Sequence, residues 1–164
     1  MKDNIVFVLD VDGTLTDGKM YYTEQGKWMK AFGCDDWDAL KEVNKFAELC
    51  FVTGDKKGFE IVRTRIEKEM NFNLYLVSHK PKERWDWIEN KFPNRPIIFM
   101  GDGVFDWYSL SKCDYGITTN DALDHVKVKA DFITIRSGGN RAVAEACVNI
   151  MEKFFEQTTE GLGL

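Results

Sequence analysis

A length of 164 residues suits one domain with a proper core and leaves little room for a second. Apolar residues at 44% and charged residues at 30% are the balance of a soluble globular protein, and no apolar run approaches the roughly 20 residues that span a bilayer. The net charge of −5 comes with no basic stripe able to neutralise a nucleic-acid backbone, which argues against that partner.

In chain order, Met1-Lys2-Asp3-Asn4 leads into a short apolar run at 5–9, which reads as a first strand and not as a signal peptide. An acidic, glycine-containing string follows at 10–18. Residues 19–32 then hold two β-prone runs around Gln25-Gly26, the pattern of a hairpin projecting from a sheet. Asp36 can cap a helix in which Trp37, Leu40, Val43 and Ala47 recur at helical spacing. A second strand at 49–52 precedes a stripe of Phe59, Val62, Ile66 and Met70. A third strand at 74–77 precedes a helix that opens with Pro81 and carries Trp85 and Ile88 on one side. Further strands are expected at 97–100, 115–118 and 132–135. The longest helix carries Val143, Ala146, Cys147, Ile150 and Phe154, and the Gly-containing tail at 158–164 is expected to be mobile.

Short, continuously apolar runs alternating with amphipathic helices predict an α/β fold: a three-layer sandwich with a central parallel sheet and right-handed crossovers. The whole chain, 1–164, is expected to be one such domain. Its aromatic and Met stripes are read as core. Cys34, Cys50, Cys113 and Cys147 form no Cys-x-x-Cys pair and read as reduced, mostly structural thiols of a cytoplasmic protein. With His79 and His125 as its only histidines, the chain lacks the ligands for a multi-histidine metal site.

The strongest chemical signal is Asp10-Val11-Asp12-Gly13-Thr14-Leu15-Thr16-Asp17-Gly18, directly after the first strand. Carboxylates at a strand's carboxyl end, followed by glycines, suit a tight loop whose N–H groups meet a phosphate. Asp10 could attack phosphorus, and Asp12 could protonate the leaving oxygen and then deprotonate water. An Asp-x-Asp pair alone is more often an acidic turn. Three further groups lie at ends of later strands: Thr53-Gly54, Lys80, and Gly101-Asp102-Gly103-Val104-Phe105-Asp106. Open α/β sheets bind ligands at that edge. A phosphoryl group needs donors (Thr53, Gly54), a cation (Lys80) and Mg²⁺ on hard oxygens. Asp10, Asp102 and the Asp12 carbonyl are the expected metal donors, with Asp106 supporting the metal site or Lys80 from behind. Singly, each has a plain alternative as a surface lysine, a loop or a turn. Their shared edge argues against it.

These residues resemble the haloacid dehalogenase phosphatase superfamily over nearly the whole chain. The branch they resemble is the capless 3-deoxy-D-manno-octulosonate (KDO) 8-phosphate phosphatases with their nonulosonate 9-phosphate relatives. The carrying motifs are the 10–18 string, Lys30-Ala31-Phe32 at the hairpin's end, Val52-Thr53-Gly54-Asp55-Lys56 and Gly101-Asp102-x-x-x-Asp106-Trp107. Ala130-Asp131-Phe132 leading to Gly138-Gly139-x-x-Ala142-Val143-x-Glu145 adds to them. The resemblance implies a phosphomonoesterase with Asp10 as nucleophile, Asp12 as acid and base, Thr53 and Lys80 on the phosphate, and Asp102 on Mg²⁺. Lys82 competes with Lys80, which is preferred for its place before Pro81. It also implies a homotetramer associating through the hairpins, with Met20, Tyr21, Tyr22, Trp28 and Met29 as apolar surface, and no cap domain.

The sequence departs from that pattern in places. Asp55 stands where octulosonate phosphatases usually carry a basic residue and nonulosonate relatives an acidic one. Glu60-Ile61-Val62-Arg63 also resembles the latter. Gly103 replaces a common second aspartate, and Asn140-Arg141 replaces an Arg-Gly-like pair. Asp55, Arg63, Lys68 and Arg141 are therefore candidate specificity residues, with plain surface charge as the alternative. A receiver domain would place its phosphoacceptor after the third strand and needs no Asp12. A non-catalytic scaffold would not need Asp10, Asp12, Lys80 and Asp102 together, and a polynucleotide phosphatase fits the charge worst.

Overall fold

Each of the apolar runs becomes a strand, and the amphipathic segments cover both faces of the sheet those strands build. The computed structural model describes residues 4–157, so the tail at 158–164 lies outside the described residues. In order, the elements are β1 (Val6–Asp10), the hairpin β2 (Tyr21–Thr23) and β3 (Gly26–Met29), α1 (Asp35–Val43), β4 (Glu48–Thr53), α2 (Phe59–Arg63) and β5 (Asn73–Leu76). They continue with α3 (Pro81–Lys91), β6 (Ile97–Met100), α4 (Trp107–Leu110), β7 (Tyr115–Thr118), α5 (Asp124–Lys127), β8 (Phe132–Ile133) and α6 (Ala142–Phe155). Helix α2 runs on through a wider-turned stretch, Thr64–Glu69.

The main sheet has the order β5-β4-β1-β6-β7-β8, and all neighbouring strands are parallel. Side chains alternate between its faces as a pleated strand requires. Phe7 and Leu9 of β1 join Phe51, Ile98 and Ile117 beneath α1, α2 and α6, whereas Val6 and Val8 join Val52, Phe99, Trp85 and Ile88 beneath α3, α4 and α5. Phe7, Phe51 and Phe99 are wholly buried, and each contributes about 1.5–3 kcal/mol relative to exposure. The result is the expected three-layer α/β sandwich. Strand order reverses around β1, so the carboxyl ends of β1, β4 and β6 bound a crevice, the usual ligand site of such sheets.

The hairpin forms a separate two-stranded sheet with Tyr22 opposite Lys27. Tyr22 and Trp28 are 64% and 62% exposed on it. Among the described residues the hairpin is the one excursion from the sandwich large enough to form strands, and none of their helices is long and apolar enough to cross a membrane.

Three expected details differ. Helix α1 starts at Asp35, so Asp36 lies inside its first turn, where its Oδ1 accepts the Ala144 N–H at 2.9 Å. It thereby satisfies a free N–H at the start of α6, whose own cap residue, Arg141, provides no side-chain bond. Phe155, not Phe154, faces the core from α6; Phe154 packs edge-on to Tyr115. Strand β8 stops at Ile133, and Ile135 is exposed, because the Glu145 carboxylate takes the Ile135 and Arg136 N–H groups that would extend the ladder.

Candidate active site

Strand β1 ends by placing Asp10, 6% exposed, at the crevice floor. The chain then turns sharply. Thr16 N–H bonds Val11 O at 3.0 Å, and Thr16 Oγ1 accepts the Gly13 and Gly18 N–H groups, each at 3.2 Å. Gly13 has φ +92, and a Cβ there would overlap the Asp102 carboxylate, so both backbone and space demand glycine. Thr14 Oγ1 donates to Asp102 Oδ1 at 2.8 Å, which ties this turn to the end of β6. From the far side Gly139 N–H donates to Thr14 O at 3.1 Å, and a Cβ on Gly138 would overlap Gly13 O.

A cavity of about 400 Å³ opens above Asp10 and is lined by Asp12, Thr53, Gly54, Asp55, His79 and Arg84, with Met20 and residues 103–106 completing the wall. Thr53 ends β4 beside β1 and is buried. The fold thus brings Asp10, Asp12, Thr53, Gly54, Asp55 and Asp106 around one space, with Asp102 behind Gly13.

The expected lysines do not join them. Lys80 is the residue before α3 with extended backbone, and its ammonium turns outward to Glu83 at 2.7 Å. Lys82 points to Asp86 on the same exposed helix surface. The cation that reaches Asp10 and Asp106 is Arg84. It lies one turn into α3, on the buried stripe with Trp85 and Ile88. Its Nη1 sits 3.0 Å from Asp10 Oδ1 and 2.7 Å from Asp106 Oδ1. A charged residue in phase with a buried apolar stripe was the legible signal for it.

Asp10, Asp102 and Asp106 offer oxygens within 4.8 Å of one another. Burial pushes Asp10 well above the ordinary carboxylate range, Asp106 pushes it further, and Arg84 only partly offsets them. Burial likewise raises Asp102 to about 7. Asp106 is raised by burial, against Arg84 and the Gly103 N–H, which occupy both its oxygens. Once ionised, the three carboxylates outnumber the one guanidinium beside Asp10 and Asp106, and the donors are all hard oxygens. That set fits a small divalent cation such as Mg²⁺.

Asp12 has its own cation. Lys30, just past β3, sits 2.6 Å from Asp12 Oδ1 and 2.7 Å from Asp55 Oδ2, and Lys27 also pairs with Asp55. Burial would raise the Asp55 carboxyl, but the two lysines and the Gly58 N–H hold it at about 2. Lys30 belonged to a recognised motif with no role attached, and Lys27 and His79 carried no sequence signal. The other specificity candidates lie elsewhere. Arg63 pairs with Glu60 and Glu67 on α2, and Lys68 is exposed further along that helix. Arg141 pairs with Asp35 in a separate groove of about 790 Å³ beside α1 and α6.

No family model matches the chain. It is 28% identical over 145 residues to 3-deoxy-D-manno-octulosonate 8-phosphate phosphatase KdsC of Escherichia coli (strain K12), a match covering 87% of this chain and 76% of that protein. Among solved structures, the enzyme of that name from Moraxella catarrhalis, in complex with a magnesium ion, a phosphate ion and KDO, superposes with a TM-score of 0.80 at 25% identity. That match covers 91% of this chain and 87% of the other. The cobalt-bound octulosonate 8-phosphate phosphatase (YrbI) from Haemophilus influenzae has a TM-score of 0.84 over 98% of both chains, but at 22% identity it speaks for the fold alone.

Proposed function

We propose that this haloacid dehalogenase-type, KDO 8-phosphate phosphatase-like phosphoric monoester hydrolase acts on a small sugar-acid phosphate of the KDO 8-phosphate type, through an aspartyl-phosphate on Asp10. The observation that carries the reading is the cavity over Asp10, which gathers a second carboxylate, a buried hydroxyl and one buried guanidinium beside a carboxylate cluster fit for Mg²⁺.

Asp10 is the only one of these groups at the floor of the cavity and on the central strand, which suits a nucleophile. Its carboxylate attacks phosphorus and the bond from phosphorus to the sugar oxygen breaks, while Asp12 gives that oxygen its proton. Water then attacks the aspartyl-phosphate, Asp12 takes the proton, and the bond to Asp10 breaks to release inorganic phosphate. Thr53 and the Gly54 N–H hold phosphoryl oxygens, and Arg84, whose Nη2 lies beside Gly54, supplies the charge the sequence assigned to Lys80. Asp10, the Asp12 carbonyl and Asp102, with Asp106 behind them, would hold Mg²⁺, which would supply positive charge to the phosphoryl oxygens. Asp106 fits the supporting place because Arg84 and Gly103 already engage both its oxygens.

The chain is proposed to work in the cytoplasm as a homotetramer whose exposed hairpin aromatics are covered by neighbouring subunits, which would exclude water from a cavity that no cap domain covers among the described residues. The test is phosphate release, with Mg²⁺, from a panel holding KDO 8-phosphate, nonulosonate 9-phosphates and simple sugar phosphates. Preference for KDO 8-phosphate is expected. A clear preference for a nonulosonate ester would move the substrate to that branch, and no release from any ester would remove the reading.

A further inference from the structure

Four ionisable groups in or beside the cavity have no part in the proposed reaction: Asp55, His79, Lys27 and Lys30. Lys30 stands out because its side chain is fully buried and touches Asp12 itself. An ammonium is costly to bury without partners. Here two cations, Lys27 and Lys30, meet the carboxyl groups of Asp12 and Asp55, so neither ammonium is without a partner. Asp55 is also anchored by its own backbone, since its Oδ1 accepts the Gly58 N–H at 3.1 Å and its N–H reaches Thr53 Oγ1 at 3.1 Å. The chain of contacts therefore runs from the rigid end of β4, through Asp55 and Lys30, to Asp12.

We propose that Lys30, carried on the hairpin and held by Asp55, is the positioning residue that orients Asp12 for proton transfer to the leaving oxygen. The inference rests on the phosphatase reading above. An aspartate side chain has two free torsions, and proton transfer demands one rotamer within hydrogen-bond reach of the reacting oxygen. Lys30 engages Oδ1, which leaves Oδ2 for the leaving oxygen. The same contact makes a correctly docked hairpin a condition for full acid catalysis. Lys27 shares only the Asp55 end of the network and serves to dock the hairpin.

The experiment compares kcat/KM for KDO 8-phosphate, an alkyl ester that needs a proton on its leaving oxygen, with p-nitrophenyl phosphate, whose leaving group departs as the anion. Lys30→Met is expected to lower the alkyl ester's kcat/KM at least about tenfold more than that of the aryl ester. Combined with Asp12→Asn it should add little further loss, as for groups acting as a unit. Lys27→Met should slow both esters by the same factor. Asp55→Asn, which frees Lys30 from its anchor, should shift the ratio in the Lys30→Met direction. An unmoved ratio in Lys30→Met, or in Asp55→Asn should Lys30→Met not fold, overturns the positioning role. So does a Lys27→Met shift as large as that of Lys30→Met, which would assign the effect to hairpin docking. A wild-type chain active on both esters with an unmoved mutant ratio sinks this role alone, whereas one active on neither sinks the phosphatase reading as well.

Discussion

Arg84 and Asp10, 74 residues apart in sequence, meet at 3.0 Å in a buried ion pair that Asp106 shares. The pair puts the positive charge of the site on the second turn region of α3, and Lys80, at the helix entrance, faces solvent. Replacing Arg84 by Met should therefore lower kcat/KM about a hundredfold or more, the scale of losing a donor aimed at developing phosphoryl charge. Lys80→Met should stay within a few-fold of wild type, because an exposed ion pair contributes little. Steady-state phosphate release decides it, and an equal loss in both variants would return Lys80 to the site.

Asp10→Asn should abolish phosphate release yet leave the fold intact. Burial and the neighbouring carboxylates disfavour the charged form of Asp10, so a neutral amide removes an electrostatic penalty. The metal-free melting temperature of the variant is expected to equal or exceed that of wild type. Appreciable phosphate release would remove Asp10 as nucleophile.

Gly13→Ala should damage metal binding. The new methyl would overlap the Asp102 carboxylate, and φ +92 adds backbone strain. The Mg²⁺ concentration for half-maximal activity should rise about tenfold or more, the scale of disturbing a ligand's supports. Gly26→Ala in the hairpin is strained as well, at φ +114, but its methyl meets open space, and it should leave that concentration unchanged. Equal behaviour of the two variants would mean that Asp102 does not hold the metal.

The carboxylate cluster also sets a pH dependence. Burial raises Asp102 from 3.8 to about 7, and Asp10 is raised too. In the metal-free fold both keep protons that the unfolded chain gives up from about pH 4. The Asp102 contribution to stability is complete below about pH 4 and is lost as pH rises through about 7, and Asp10 contributes with the same sign. Melting temperatures without metal should fall across that window. Added Mg²⁺ should raise them more at about pH 8 than at about pH 5.5, where protons compete for the same oxygens. Shifts of equal size at both pH values would count against this cluster as the metal site. Chelation with EDTA should abolish activity and Mg²⁺ should restore it.

The exposed Tyr22 and Trp28, on a hairpin that pairs with no further strand among the described residues, predict self-association. Light scattering at micromolar concentration should give a tetramer, and Trp28→Glu should shift it toward monomers. A wild-type monomer would overturn the assembly.

Much of this molecule could be read from local order along the chain. Apolar runs of four or five residues specify buried parallel strands, helical stripes specify the covering layers, and acidic or hydroxyl residues at strand ends fall along one edge. Those features depend on backbone periodicity and on glycine's freedom at Gly13, both properties of a few neighbouring residues. Asp36 marks the limit. Its residue type announced a cap, but its partner is Ala144 on another helix, 108 residues away.

By itself, then, the sequence determined the sandwich, its ligand-facing edge, and the acidic and hydroxyl residues along it. Only the tertiary structure decided which cations serve them. Whether Lys80 or Arg84 reaches Asp10 depends on the rotational phase of α3 against the sheet. Whether Lys30 reaches Asp12 depends on how the hairpin docks over β4. Both are set by packing between segments far apart in sequence, and a long cationic side chain can satisfy its local backbone equally well pointing inward or out.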